Sequence, residues 1–216
     1  SPYTLSLHDA LRSVLAETLH LEMLPIAVTA SGPDLDHLHS LCLKRPVRAV
    51  YSMPTLHNPL GWVMGLEQRE QLVAIARQHN LMIIEDAAYA FLAEHAPPPL
   101  ATLAPERTVY VGGLSKSVAT GLRVGFVSAP AAWVKALERS IMATTWNVPG
   151  VMSAIAVAWL DDGTVAQLEA QKRQDAQARQ ALAAQVLKGL AYISHRSLYF
   201  LDRKSTRLNS SHMPHL

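Results

Sequence analysis

The chain has 216 residues, half of them hydrophobic and 17% charged, enough for one sizeable domain or one and a fraction. A formal net charge of +2 is too small to mark a nucleic-acid or membrane-binding surface. Cys42 is the single cysteine, which excludes disulfides within the chain and cysteine-based zinc sites and favours a reducing compartment, the cytoplasm.

In chain order, residues 1–12 resemble translated sequencing-library adapter, as do residues 203–216, and the first residue is Ser1 rather than Met. The chain is therefore expected to be a fragment of a longer gene with foreign ends. Leu24 to Ala30 reads as a strand, followed by a turn at Ser31-Gly32-Pro33. Asp34 can cap a helix to about Leu43, with Leu35, Leu38 and Leu41 on one face, and Pro46 ends that stretch. Val47 to Met53 reads as a buried strand and leads into a loop holding His57-Asn58-Pro59-Leu60-Gly61. Leu66 to Asn80 is an amphipathic helix whose stripe includes Leu66, Leu72, Val73 and Ala76. The unbroken apolar run Leu81 to Ile84 marks a strand covered on both faces, ending in Glu85-Asp86.

Pro97-Pro98-Pro99 lies in a loop, and Thr108–Val111 and Leu122–Ser128 are short strands bracketing Lys116. Trp133 to Met142 is a helix. The 21 residues from Ser140 to Leu160 carry no charge, yet Pro149-Gly150 interrupts them, so they read as a buried helix-turn-helix passage rather than a membrane span. Asp161-Asp162-Gly163-Thr164 offers cap chemistry for a long helix to about Leu190, with Leu168, Leu182, Val186 and Leu190 at helical spacing. Tyr192 to Phe200 begins another small sheet. His37 and His39 are two apart, off a common helix face, so no metal site is expected. Trp146 and Trp159 are expected in the core or in a dimer contact.

Strands alternating with helices imply an α/β layer with a mostly parallel sheet, in which ligands bind at the carboxyl ends of strands. Asn58, Asp86 and Lys116 each fall at or just after such an end. They form an ordered set with Tyr89, Ser115 and Arg123: His57-Asn58-Pro59, Glu85-Asp86-Ala87-Ala88-Tyr89, Gly113-Leu114-Ser115-Lys116 and Gly121-Leu122-Arg123-Val124-Gly125. An amine, a carboxylate, hydrogen-bond donors and a guanidinium are what a pyridoxal phosphate (PLP) site needs. Strand alternation sends Glu85 to the opposite side from Asp86.

The motifs, in this order and spacing, resemble the class I/II aminotransferases, the fold type I PLP enzymes, over about residues 14–200. The resemblance implies that Lys116 forms an imine with PLP and moves the substrate's α-proton as general base. It implies that Asp86 pairs with the pyridine nitrogen, that Asn58 and Tyr89 donate to the ring oxygen, and that Ser115 and Arg123 bind the phosphate. It departs from the family at Gly113, where many members carry a second hydroxyl residue. The family's upstream glycine-rich phosphate turn, ring-stacking aromatic and downstream carboxylate-binding arginine have no counterpart here.

The expected architecture is thus a truncated α/β fold type I domain: residues 13–162 as part of the PLP-binding large domain, and residues 163–202 as a long helix and the start of a small C-terminal domain. The implied partners are an amino acid or 2-oxo acid substrate and a second copy in a homodimer. Tyr110-Val111-Gly112-Gly113-Leu114-Ser115-Lys116 and the Gln/Arg-rich helix from Val165 also look similar to the MocR-type regulators. Those fuse a winged helix-turn-helix DNA-binding domain to the same fold, so DNA would be bound only through a segment outside this chain.

Overall fold

The computed structural model describes residues 19–29 and 31–202. The two end segments read as foreign lie outside these residues. Among the described residues the first helix is α1 (Leu35–Lys44), which Asp34 starts by accepting the His37 N–H on its side chain at 2.9 Å. The helix stops at Arg45, one residue before Pro46, with Arg45 already extended. Strand β1 (Ala49–Ser52) follows, then α2 (Leu66–Gln78), whose Gln68 side chain reaches back to the Gly65 N–H at 3.3 Å. After β2 (Met82–Asp86) and the one-turn α3 (Leu100–Leu103) come β3 (Thr108–Gly113), the one-turn α4 (Leu114–Ser117) and β4 (Gly125–Ser128).

These strands form one sheet in the order β1-β2-β3-β4, with β1, β2 and β3 parallel and β4 antiparallel to β3. Helices α5 (Ala131–Thr144), α6 (Gly150–Asp161) and α7 (Thr164–Val186) complete the helical part, and β5 (Ile193–Ser194) pairs with β6 (Leu201–Asp202). The mostly parallel α/β sheet and the small C-terminal sheet agree with the sequence pattern.

One face of the sheet is sealed by α1 and α2. Leu35, Leu38, Leu72, Val73 and Ala76 pack with Val50 and Ile83 into a core cluster, each large aliphatic side chain contributing about 2 kcal/mol on burial. A second cluster, of Met53, Leu56, Tyr89, Leu92, Ala176 and Leu198, gathers at the carboxyl ends of the strands. A third joins Leu114, Val118 and Leu122 of the α4 region to Ala156 and Val165.

Several sequence expectations are corrected. Over the described residues 24–29 there is no strand: the only pairing among them is the isolated bridge of Val28 with Pro33, and Ala30 lies outside the described residues. The segment folds onto α1 instead, with the Ala27 N–H donating to His37 Nδ1 at 2.9 Å and the Asp34 N–H donating to the Ala27 carbonyl at 2.8 Å. Leu66 lies exposed in the first turn of α2. The last strand of the main sheet begins at Gly125 rather than Leu122, because Thr120–Leu122 is a 3₁₀ turn and Arg123 is left-handed.

The charge-free passage does form helix, turn and helix, but it is not buried. Among the described residues of α5 and α6 only Ala156 is buried, and Trp146 is 72% exposed. Trp159, in contrast, packs against the third cluster. In α7 the buried positions are Val165 and Ala176, whereas Leu182, Val186 and the following Leu190 are exposed. The helix ends at Val186, and its start is supported by Asp162, whose Oδ1 accepts the Thr164 N–H at 2.9 Å. Among the described residues no helix is long and apolar enough to cross a membrane.

Candidate active site

Because β1, β2 and β3 run parallel, their carboxyl ends share one edge of the sheet, and the residues just beyond them meet there. Pleating sorts the two acids at the end of β2. Glu85, 2% exposed, enters the layer beneath α2 and α3 and accepts the Ala101 N–H at 2.9 Å. Asp86 faces the other way. Tyr51 on β1 stands opposite Ile84 in the register, so Tyr51, Ile84 and Asp86 share a face. The Tyr51 hydroxyl donates to Asp86 Oδ2, and the Ala88 N–H donates to Oδ1 at 3.0 Å. The carboxylate is thereby aimed from two sides. Tyr51 was not singled out from sequence; only the register puts it beside Asp86.

Tyr89 is buried against Phe200, the rings meeting edge-on at 5.4 Å. Burial and then the negative charge of Asp86 push its pKa up, so it remains a phenol and a hydrogen-bond donor at neutral pH. The Lys116 Nζ lies 5.9 Å from the Tyr89 ring centroid. The turn after β2 and the turn after β3 thus bring Asp86, Tyr89 and Lys116 to one place.

Ser115 and Arg123 sit on the connection between β3 and β4, which is closed by the Leu114 N–H donating to the Val124 carbonyl at 3.0 Å. Ser115 is half-buried, and its carbonyl accepts from Thr120 Oγ1 at 3.3 Å. Arg123 adopts φ 53°, left-handed for a long side chain, and is exposed with no ion pair among the described residues. Such an outlier costs on the order of 1 kcal/mol or more and persists where the surroundings demand it. Gly113 pairs with Gly125, and a Cβ on Gly113 would lie 3.1 Å from the Val124 carbonyl oxygen and 3.3 Å from Gly125 Cα. The close approach of β3 and β4 therefore accounts for glycine where a second hydroxyl residue was sought.

Asn58 is half-buried in a loop closed by the antiparallel bridge of Thr55 with Val63 and by the His57 ring lying tilted against Trp62 at 4.0 Å. The Asn58–Pro59 peptide bond is cis. Gly61, at φ 73°, lets the loop lie on the segment around His195 and Leu198, where a Cβ would meet Leu198 Cδ1 at 3.3 Å. Arg69, wholly buried on α2, fixes the base of the loop. Its Nη2 donates to the Pro54 carbonyl at 3.1 Å and to Thr55 Oγ1 at 2.8 Å, its Nε to the Met64 carbonyl at 3.0 Å, and its Nη1 to the Pro98 carbonyl at 3.1 Å. Asn58 thus lies on the loop after β1, and Ser115 and Arg123 lie on the β3–β4 connection that also carries Lys116.

A mostly parallel sheet whose strand ends gather a lysine, a carboxylate and a phenol fits a fold type I PLP domain. The chain belongs to the aminotransferase class I and II family, whose model matches residues 14–207. It is 35% identical over 150 residues to an uncharacterized aminotransferase of Saccharolobus solfataricus, covering 65% of this chain and 37% of that protein. It is 30% identical over 127 residues to an uncharacterized HTH-type transcriptional regulator of Bacillus subtilis, covering 59% of this chain and 28% of that protein. The chain therefore spans about a third of the length of these curated relatives. Among solved structures, it resembles the alpha-aminoadipate aminotransferase LysN of Thermus thermophilus, complexed with N-(5'-phosphopyridoxyl)-L-leucine. The TM-score is 0.73 at 28% identity, over 84% of this chain and 49% of that one.

Membership makes PLP the cofactor of this domain. The donor set fits that group: an amine beside a buried phenol, a carboxylate oriented by Tyr51 and Ala88, and an exposed arginine without an ion-pair partner among the described residues.

Proposed function

We propose that this chain is the site-bearing part of a PLP-dependent enzyme transferring amino groups between amino acids and 2-oxo acids, with Lys116 as the cofactor-binding amine. The observation that carries the reading is the convergence of Asp86, Tyr89 and Lys116, with the Lys116 Nζ 5.9 Å from the Tyr89 ring. When bound, PLP supplies an electron sink for the charge left as a bond at the substrate's Cα breaks. Asp86, steered by Tyr51 and the Ala88 N–H, holds the proton on the pyridine nitrogen. Tyr89 and Asn58 donate to the ring oxygen, and the guanidinium of Arg123 and the hydroxyl of Ser115 bind the phosphate. The Lys116 amine takes and returns the proton at the substrate's Cα.

Borohydride reduction of the protein mixed with PLP, followed by peptide mass analysis, tests this. The label is expected on Lys116. A label elsewhere, or none on a well-folded protein, refutes the assignment. Asp86→Ala should keep the label but lose most amino transfer in single-turnover measurements, and a retained rate would remove Asp86 from its role.

The likeness to a transcriptional regulator at 30% identity supports a second reading, a PLP-responsive effector domain. DNA would then be bound by a winged-helix segment elsewhere in the whole protein. Sequencing the intact reading frame separates the two: such a segment upstream favours the regulator, and an N-terminal arm with a glycine-rich turn favours the enzyme. In either case the whole protein is proposed to be a cytoplasmic homodimer, which light scattering would check.

A further inference from the structure

Lys116 sits in a helix of a single turn, and so short a helix does not hold its own shape. Within it the Val118 and Ala119 N–H groups both donate to the Leu114 carbonyl, at 2.8 and 3.1 Å. The carbonyls of Lys116 and Val118 lie at its C-terminal end, where a helix has no further N–H of its own to offer. Lys172, on α7, supplies the missing donor. Its Nζ donates to the Lys116 carbonyl at 2.9 Å and to the Val118 carbonyl at 3.1 Å.

The next residue reaches the neighbouring loop. Arg173 Nη1 donates to the Phe91 carbonyl at 2.9 Å, and its Nε lies 3.8 Å from Glu94 Oε1. Phe91 belongs to the 3₁₀ turn Ala90–Leu92, directly after Tyr89. Further along α7, Gln180 Nε2 donates to the Leu198 and Phe200 carbonyls at 2.8 and 3.0 Å, and the Phe200 ring packs on Tyr89. One helix therefore grips, through consecutive cations, the turn that carries Lys116 and the turn that follows Asp86 and Tyr89.

An apolar helix face would bury these turns as well without the cost of desolvating two cations. What charge-assisted bonds to carbonyls add is direction. We propose that Lys172 and Arg173 are positioning residues that fix the separation of the Lys116 amine from Asp86 and Tyr89. The inference rests on the reading that Lys116 holds PLP. Leu114, Val118 and Val165 dock α4 on α7 by apolar contact, but such contact tolerates sliding. The two hydrogen bonds to Lys172 set the rotation of the turn, and with it where the Lys116 side chain starts.

The test uses the full chain with PLP and the variants Lys172→Met, Lys172→Arg and Arg173→Met. Three quantities are read: borohydride labelling at Lys116, visible circular dichroism per bound PLP, and hydrogen exchange of the backbone amides. Lys172→Met keeps the length of the stem and loses the donors. It should bind PLP about tenfold or more weakly, with weaker dichroism per bound cofactor. Exchange should quicken at residues 114–119 while β1 and β2 stay unchanged. Lys172→Arg should restore most of the dichroism, and Arg173→Met should quicken exchange at residues 89–92.

Wild-type affinity and dichroism in Lys172→Met overturn the inference. So does a loss that quickens exchange throughout the sheet and is not rescued by arginine, which marks a merely structural role. If Lys116 is unlabelled in the wild type, the functional reading falls and this inference with it. If the wild type is labelled and the variants behave like it, the inference alone falls.

Discussion

Arg69→Met is the substitution with the largest expected effect outside the cofactor contacts. Arg69 is 0% exposed and binds four acceptors, the carbonyls of Met64, Pro98 and Pro54 and the hydroxyl of Thr55. Methionine fills much of the stem volume, so the loss is chiefly polar. The Pro54 carbonyl also accepts the Met64 N–H at 2.8 Å and keeps that partner. The Met64 carbonyl and the buried Thr55 hydroxyl are left without this donor, at about 1–3 kcal/mol each, whereas Pro98 is exposed and its carbonyl can turn to water. Glu85, buried nearby, loses a favourable charge as well, but it keeps the Ala101 and Leu100 N–H groups, which weigh more on it than Arg69 does. The expected loss is therefore about 2–4 kcal/mol, a large part of the 5–15 kcal/mol that holds a typical domain folded. Urea denaturation of the full chain measures it as a fall in midpoint at constant slope. Arg69→Lys keeps the charge but not the planar fork, and should recover less than half. Glu85→Gln in the Arg69→Met background removes the charge that Arg69 no longer faces and should restore up to about 1 kcal/mol. A loss below about 1 kcal/mol for Arg69→Met, or lysine equal to wild type, would refute the reasoning.

Three other outcomes are expected. Burial raises the Glu85 pKa above its usual 4.5, so the folded protein binds this proton more tightly than the unfolded chain does; the associated stability is full below about pH 4.5 and is lost as pH rises through the folded value. Urea midpoints from pH 4 to 8 should therefore decline relative to those of Glu85→Gln, and parallel curves would contradict the shift. Tyr51→Phe removes the hydroxyl donor on Asp86 Oδ2, so PLP affinity by spectroscopic titration should drop about tenfold, with unchanged affinity assigning the bond no role. Gly113→Ser would press a Cβ to 3.1 Å from the Val124 carbonyl oxygen, lowering stability by about 1–2 kcal/mol without tightening phosphate or PLP binding; tighter binding would show that β3 and β4 can part.

What could be read from the sequence was local. Asp34 before an apolar-periodic run gave a helix start because a cap acts within three residues, and the opposite facing of Glu85 and Asp86 follows from pleating alone. Apolar spacing predicted helices but not what covers them. Leu182 and Val186 recur at helical spacing on the helix whose Val165 and Ala176 are buried and still face outward, since burial depends on a neighbour that periodicity does not name. The polar residues that organise the site were hidden for the same reason. Lys172 and Arg69 look like ordinary solvated charges on polar helices; the acceptors of Lys172 lie 54 and 56 residues away, and those of Arg69 lie 5, 14, 15 and 29 residues away on other segments. A lysine whose ammonium is spent on two carbonyls is not distinguishable in sequence from one facing water. The residues that carry the chemistry come from short motifs at strand ends, where sequence order and spatial proximity coincide. The residues that aim them come from other elements, so their roles become visible only when the sheet edge and α7 are seen in contact.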